Sequence, residues 1–274
     1  ALPGRITATV KGLQSTLGGS NMGFKPSQQV YKAGGVDCYN LVVEIPARSP
    51  ERAGEIVIAG AHYDSAPGSP GADANASGVS ACIALCQAFA NTQQERTLRI
   101  VFFANGESSA VPPEESGSVA YARECKLRGE KVVAMLSLSS LGYYSTAKDS
   151  QKSPPGLTPP LPDTGNFLAV FGRSTGKPLV DTFQSVMSRN STLPVAAAVL
   201  PDTLTLSLPG DDAAFTQEGF PAVLVTDTAS LRNPNTHQPG DLPDTLDYER
   251  FTQAVQGIEG VLQALANPSR SGEK

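Results

Sequence analysis

Short apolar runs, many of them rich in β-branched residues, alternate with helical patterns along most of this chain. No other feature limits the fold as strongly. Seven runs predict strands, and most are almost continuously apolar, as strands buried on both faces of a sheet are. These runs are residues 39–45, 55–61, 98–104, 132–138, 167–171, 195–200 and 222–226. Helices are predicted over residues 77–90, 116–127, 177–188 and 248–266. The alternation favours an α/β three-layer sandwich, with a central mixed β-sheet flanked by helices.

The last predicted helix has the clearest pattern. Its apolar residues recur at steps of three and four and so form one stripe: Phe251, Val255, Ile258, Leu262 and Leu265. Asp247, just before it, is a suitable N-cap. Residues 145–163 are rich in Pro, Ser and Gly and predict a long surface loop within one domain that spans residues 1–274.

Composition excludes several classes of function. The 21 Lys and Arg residues against 26 Asp and Glu give a net charge of -5, and no basic run is present, so nucleic acid is not an expected partner. No stretch approaches the roughly 20 apolar residues of a membrane-spanning helix. The four cysteines have no zinc-knuckle spacing and are expected to be buried free thiols. The chain starts without the features of a signal peptide, so this pattern leaves the localisation open.

The chain has two histidines, and each comes where a strand or turn signal ends. His62 follows an apolar run, and His237 lies in the turn sequence Asn-Pro-Asn-Thr-His, so both are expected in loops that can meet. Asp64, two residues after His62, could accept the second ring N–H and orient the imidazole toward a metal. Taken alone, a surface histidine in a turn is the simpler interpretation of His62.

Two further motifs end at the same predicted edge of the sheet. The sequence Gly-Ala-Asp-Ala-Asn-Ala-Ser-Gly at 71–78 predicts a turn that leads into a helix. The sequence Phe-Phe-Ala-Asn-Gly-Glu at 102–107 predicts a strand that ends in a carboxylate. Open α/β sheets place their binding sites at the carboxyl ends of their strands, so these motifs and His62 are expected to share one site.

Together these motifs resemble the di-zinc aminopeptidases, a family that includes glutaminyl cyclases and glutamate carboxypeptidases. The resemblance rests on the order of five elements: His-Tyr-Asp-Ser from His62, Gly-Ala-Asp-Ala-Asn-Ala-Ser-Gly, Phe-Ala-Asn-Gly-Glu, Leu-Gly-Tyr-Tyr at 141–144, and a late histidine. It extends from about residue 40 to residue 266 and includes Val-Thr-Asp-Thr at 225–228 and Pro-Asp-Thr-Leu-Asp-Tyr at 243–248.

The resemblance implies a zinc-exopeptidase fold and a set of metal ligands. In such enzymes the first histidine and a later carboxylate hold one zinc, a glutamate and the late histidine hold the other, and an aspartate bridges them. The positions that match are His62 with Asp64 behind it, Glu107, and His237. The resemblance also favours a secreted or periplasmic location.

Three positions depart from the family pattern. The bridging aspartate stands three residues before the Ser of the Asn-Ala-Ser-Gly run, and that position is Ala74 here. The general base is the first of two consecutive glutamates in relatives, and here Gly106 precedes Glu107. The remaining carboxylate ligand stands two residues before the hydrophobic-Gly-Tyr sequence, where this chain has Ser139.

The departures leave both expected zinc sites incomplete. A catalytic zinc normally keeps three protein ligands and a water, whereas one ion would have His62 alone and the other only Glu107 and His237. Two dications repel strongly without the bridging carboxylate, so zinc is expected at one site at most. Asp73 could become a third ligand, although adjacent residues of an extended turn point to different sides. Loss of the general base alone removes roughly 10²- to 10⁴-fold in rate.

Three hypotheses follow from this pattern. The first is a catalytically inactive member of the family whose remnant pocket, with Asp64, Ala74, Ser139 and Asp211, binds a peptide end or a small molecule. The second is an active aminopeptidase with a single zinc. The third is that substitutions were introduced deliberately to inactivate the protein. Gly106 and Ser139 would then need the same explanation as Ala74.

Other chemistry has little support in the sequence. The chain has no Gly-x-Ser-x-Gly elbow and no Walker-type phosphate loop. Asp211 and Asp212 precede a short predicted helix, where they either shape the pocket or cap the helix.

Overall fold

The structure, a computed structural model, describes residues 3–19, 22–107, 112–201, 203–204, 208 and 210–268. Its centre is a mixed sheet with the strand order β1-β2-β4-β3-β5-β8-β6-β7. The strands are β1 (Ser27–Ala33), β2 (Val36–Ile45), β3 (Glu55–His62), β4 (Thr97–Phe103), β5 (Lys131–Leu138), β6 (Leu168–Gly172), β7 (Val195–Val199) and β8 (Ala222–Thr226). The α-helices are α1 (Pro3–Leu17), α2 (Gly78–Phe89), α3 (Gly117–Leu127), α4 (Lys177–Asn190), α5 (Asp212–Gln217) and α6 (Tyr248–Ala266).

The predicted elements are confirmed to within three residues at each end, and the α/β sandwich with them. Asp247 caps α6, since its side chain accepts a hydrogen bond from the backbone N–H of Arg250 at 3.0 Å. Residues 145–163 contain neither α-helix nor strand. The sequence pattern predicts neither α1 nor β1, whereas α5 confirms the short helix expected after Asp211.

Alternation along the central strands produces a core on each face of the sheet. Within β3, Val57 and Ala59 pack in the larger core, whereas Ile56 and Ile58 pack in the core on the opposite face. Because both faces are covered, the strand is almost continuously apolar. Helices α1, α2, α4 and α6 contribute to the larger core, and α3 and α5 contribute to the other.

All four cysteines are free and buried, as the sequence predicts. In the part of the chain that the structure describes, none of the helices is both long and apolar enough to cross a membrane.

The sheet topology brings four strand ends to one edge. Strands β4, β3, β5 and β8 are neighbours and run parallel, so their carboxyl ends lie side by side. His62 is the last residue of β3 and is buried, which corrects the expectation of a loop position. Gly106 and Glu107 follow β4, Ser139 follows β5, and Asp227 follows β8.

Candidate functional site

Both histidines, which the sequence predicts can meet, contact one carboxylate at this edge. Nε2 of His237 lies 2.9 Å from Oε2 of Glu107, and Nε2 of His62 lies 3.7 Å from Oε1 of the same side chain. His62 and Glu107 are buried, whereas the His237 side chain is 39% exposed. We call these three residues the histidine–glutamate row. His62 Nε2 and Glu107 Oε1 are buried and have no hydrogen-bond partner among the described residues.

Asp64 lies behind His62, where the sequence analysis placed it. Nδ1 of His62 is 3.1 Å from the backbone oxygen of Asp64 and 3.5 Å from its Oδ1. The Asp64 carboxylate also accepts hydrogen bonds from the backbone N–H groups of Gly106, at 2.8 Å, and Glu107, at 3.2 Å. Asp64 therefore joins the end of β4 to the imidazole that ends β3.

The carboxylates around His62 favour its charged form. Burial lowers the pKa of His62, but the hydrogen bond with Asp64 and the charges of Asp211, Asp64 and Glu107 raise it more, to about 9. Burial likewise raises the pKa of Asp64, but the contact with His62 and the two backbone N–H groups outweigh it, and the net shift is downward. His62 and Asp64 therefore form an ion pair at neutral pH.

Asp211, predicted either to shape the pocket or to cap α5, does not cap the helix through its side chain. Its side chain makes no capping hydrogen bond to α5 and instead bonds with the backbone of His62 and the side chain of Ser118. Its Oδ2 is buried and unpartnered in the described part of the chain. Burial raises the pKa of the Asp211 carboxyl, although the charge of His62 opposes this effect.

Gly106, at the position where relatives have the general base, packs directly against His62. A Cβ atom built on Gly106 would lie 2.3 Å from the Cβ and 2.4 Å from the Cγ of His62. Atoms at such distances overlap, so any side chain at this position would require His62 or the loop after β4 to move.

Ala74 and Ser139 are both buried, at 2% exposure each, at the other two positions where relatives have carboxylates. The backbone N–H of Ala74 donates to Oδ2 of Asp241 at 3.1 Å. The backbone N–H of Ser139 donates to the carbonyl of Val225 at 3.1 Å and so extends the pairing of β5 with β8. Neither side chain offers a charge to the site.

Asp73 belongs to a different group of side chains. Its Oδ1 accepts from the backbone N–H of Gly142 and its Oδ2 from the side-chain amide of Asn233, both at 2.9 Å. It also shares a hydrogen bond with Asp227, and burial together with the charge of Asp227 raises the pKa of Asp73 well above its ordinary value. As placed, these contacts do not support Asp73 as the third metal ligand.

Asp227 and Asp241 complete this group, which we call the aspartate cluster: Asp73, Asp227, Asp241 and Asn233. Asp227 accepts from the backbone N–H groups of Tyr143 and Ala229, both at 2.8 Å. Asp241 accepts from the backbone N–H groups of Asp73, at 2.9 Å, and Ala74. The sequence gives no sign of the role of Asp241, because a lone aspartate in the turn after His237 carries no pattern of its own.

The possible metal donors at this edge are divided between the histidine–glutamate row and the aspartate cluster. Among the residues that the structure describes, no group of three or more His, Cys, Asp or Glu side chains is arranged to hold one ion. In the histidine–glutamate row, the Glu107 carboxylate lies between the two imidazoles and contacts them directly.

Comparison with known proteins shows the family to which this chain is similar. The family model of Peptidase family M28 matches residues 40–261. The Escherichia coli protein YfbL, which is uncharacterized, is 32% identical over 75% of this chain and 65% of its own length. Leucine aminopeptidase 1 of Trichophyton equinum is 26% identical over 83% of this chain and 58% of its own.

A solved structure shows the same fold. The zinc aminopeptidase from Bacillus subtilis superposes with a TM-score of 0.65 at 17% identity, and the match covers 88% of this chain and 53% of that one. The chain therefore spans between half and two thirds of the length of these relatives.

Proposed function

The chain belongs to Peptidase family M28, and within this family we propose that it is a catalytically inactive member that binds a peptide end or a small molecule in its remnant site. The contact between Gly106 and His62 is the main support. The imidazole lies against the position from which a general base would act. The site therefore leaves no room for a side chain at Gly106 unless His62 or the loop after β4 moves.

The donor set also argues against a pair of zinc ions. With Ala74 and Ser139 in place of carboxylates, the histidine–glutamate row would have to hold two dications with a single negative charge between them. The mutual repulsion of two such ions a few ångströms apart is large, and a bridging anion is needed to offset it. Two zinc ions therefore do not fit these residues.

The remnant site keeps features that suit a ligand. Glu107 Oε1 is buried and unpartnered within the described residues, and His237 is partly exposed next to it. A buried polar atom without a partner is costly, so a ligand that supplies a donor gains a hydrogen bond there. The free ammonium group of a peptide N-terminus is such a donor.

Metal content and hydrolysis test this proposal together. The protein is stripped with EDTA, dialysed against zinc and analysed by elemental mass spectrometry, and leucine p-nitroanilide is offered as substrate. We expect fewer than two zinc ions per chain and hydrolysis no faster than in buffer, with the Bacillus subtilis zinc aminopeptidase as positive control. Two bound zinc ions together with turnover would overturn the proposal.

One observation favours a second candidate, an aminopeptidase with a single zinc. The row contains two imidazoles and one carboxylate, the donor types of a common three-ligand zinc site, and two of its facing atoms are unpartnered in the described chain. One bound zinc per chain, lost in Glu107→Gln and accompanied by cleavage of leucine p-nitroanilide, would favour it. Zinc without cleavage would leave the first proposal standing.

A further inference from the structure

A cavity of about 300 Å³ lies beside α5 and the end of β6. It is distinct from the remnant site, because none of the residues of the histidine–glutamate row lines it. Phe171, Leu200 and Leu224 contribute apolar walls, and Arg173, Asp212 and Thr216 contribute polar groups. Ligand pockets combine apolar walls with a few polar groups in this way, and the volume is at the lower end of their range.

The cavity is lined by one basic and one acidic side chain, Arg173 and Asp212. Arg173 donates from Nη1 to the carbonyl of Pro201, which occupies one of the five N–H groups of its guanidinium. The charge of Arg173 opposes the net rise in the pKa of Asp212, yet among the described residues no ion pair within 4 Å joins the two side chains. Arg173 and Asp212 are therefore close enough to interact electrostatically but do not form an ion pair with each other.

The Asp212 carboxyl is in an environment that a cation would improve. Burial, and then the charge of Asp211, raise the pKa of Asp212 to about 7, although backbone N–H groups at Asp212 and Ala213 oppose the shift. A positive group in the cavity would favour the ionised form and gain a charge-assisted hydrogen bond.

The rest of the cavity suits an apolar group. Phe171, Leu224 and Leu200 are only 1%, 4% and 6% exposed, so their side chains form an ordered apolar wall. Thr216 contributes a buried hydroxyl that has no hydrogen-bond partner among the described residues. A volume of about 300 Å³ holds one small molecule and is too small for a folded peptide segment.

We propose that this cavity binds a free α-amino acid with an apolar side chain. Asp212 accepts hydrogen bonds from the α-ammonium group, Arg173 donates to the α-carboxylate, and Phe171, Leu200 and Leu224 contact the side chain. The ligand bridges two charges that the protein leaves unpaired with each other. The inference does not depend on the remnant site or on any metal.

The two sites are nonetheless close in the chain. Asp211 and Asp212 are consecutive, and Asp211 faces His62 whereas Asp212 lines the cavity. A binding test must therefore separate the two sites. The charge and shape of the ligand, together with variants on each side, provide that separation.

Isothermal titration calorimetry of the EDTA-treated protein with L-leucine is the first test. We expect saturable binding of one leucine per chain. N-acetyl-L-leucine lacks the ammonium group, L-leucinamide lacks the carboxylate, and glycine lacks the apolar side chain, so each is expected to bind at least tenfold more weakly. No detectable heat from L-leucine up to millimolar concentrations, or equal affinity for all four compounds, would overturn the proposal.

Variants then locate the ligand. Asp212→Asn and Arg173→Gln are each expected to weaken leucine binding at least tenfold, whereas the exposed control changes Asp244→Asn and Arg189→Gln leave it unchanged. Leucine binding that survives both cavity variants but is lost in His237→Ala would place the ligand in the remnant site and refute the inference. The ligand series on the unmodified chain decides the question if a cavity variant fails to fold.

Discussion

The histidine–glutamate row and the aspartate cluster lie at the same edge of the sheet but differ in whether their buried polar atoms have hydrogen-bond partners. In the aspartate cluster, both carboxylate oxygens of Asp73, Asp227 and Asp241 accept hydrogen bonds. In the row, His62 Nε2 and Glu107 Oε1 are buried without a partner among the described residues. Buried polar groups in stable structures are nearly always paired.

This difference indicates a structural role for the aspartate cluster and a ligand-binding role for the histidine–glutamate row. The carboxylates of the aspartate cluster accept from backbone and amide groups and so fix the turns that carry Ala74, Tyr143 and Ala229. The row contains atoms that have no such partner among the described residues, and these atoms are available to a ligand. The carboxylates that remain at this edge are therefore of two kinds, and each kind makes a different prediction.

The largest effect is expected from Asp241→Ala. Asp241 is fully buried and accepts from the backbone N–H groups of Asp73 and Ala74. Its removal leaves both groups without an acceptor, so we expect the free energy of unfolding to fall by about 4 kcal/mol in urea denaturation. The exposed Asp244→Ala is the matched control and should change it by less than about 0.5 kcal/mol. If the free energy of unfolding of Asp241→Ala fell by less than about 1 kcal/mol, the aspartate cluster would not have the structural role assigned to it.

The pH dependence of stability is the next largest effect. The pKa of His62 is raised from 6.5 to about 9 in the folded protein, so its charged form stabilises the fold fully below pH 6.5, and this contribution is lost as the pH rises through 9. We expect His62 to contribute up to about 3 kcal/mol to the loss of unfolding free energy between pH 6.5 and pH 9.5, measured in EDTA. His62→Gln should flatten the profile. An equally steep profile in that variant would show that His62 is neutral in the fold.

Gly106→Ala tests the contact that carries the proposed function. The added Cβ would lie 2.3 Å from the Cβ of His62, and overpacking of this kind costs about 2 kcal/mol. Gly12→Ala, at a helical glycine with nothing within 4 Å of the added Cβ, is the control and should be neutral or stabilising by about 0.5 kcal/mol. Equal thermal stability of the two variants would mean that His62 does not occupy the space of the general base.

The smallest effect is expected from His237→Ala. The side chain is 39% exposed, and a contact between a partly exposed imidazole and a carboxylate contributes about 1 kcal/mol or less. Thermal denaturation should therefore change little, while binding of peptides with a free N-terminus to the remnant site is lost. If His237→Ala lost as much stability as Asp241→Ala, the row would have a structural role as well, and the two regions would not differ in the way described.

Much of the fold was predictable because its strands carry their own signal. Buried parallel strands are almost continuously apolar, and the stripe along α6 is long. The N-terminal elements gave weaker signals. Within α1, Val10, Leu13 and Leu17 are buried at helical spacing, but three residues are a short pattern. The edge strand β1 buries only Ala33 fully, so it has no apolar alternation to detect.

The site was predictable in its positions but not in its contacts. The order of the motifs identifies His62, Glu107 and His237, and the structure brings them together. The packing of Gly106 against His62 depends on where two strand ends place their backbones, which spacing along the chain does not encode. The hydrogen bonds that engage Asp73 come from residues 69 and 160 positions away in the chain, so no local pattern reveals them.

Anomalous scattering at the zinc absorption edge, from crystals grown in zinc, shows directly how many zinc ions this edge of the sheet binds. We expect no pair of zinc ions there, and at most a single peak between His62, Glu107 and His237. Two well-occupied zinc ions near His62 and His237, with other groups in place of the missing carboxylates, would contradict this expectation.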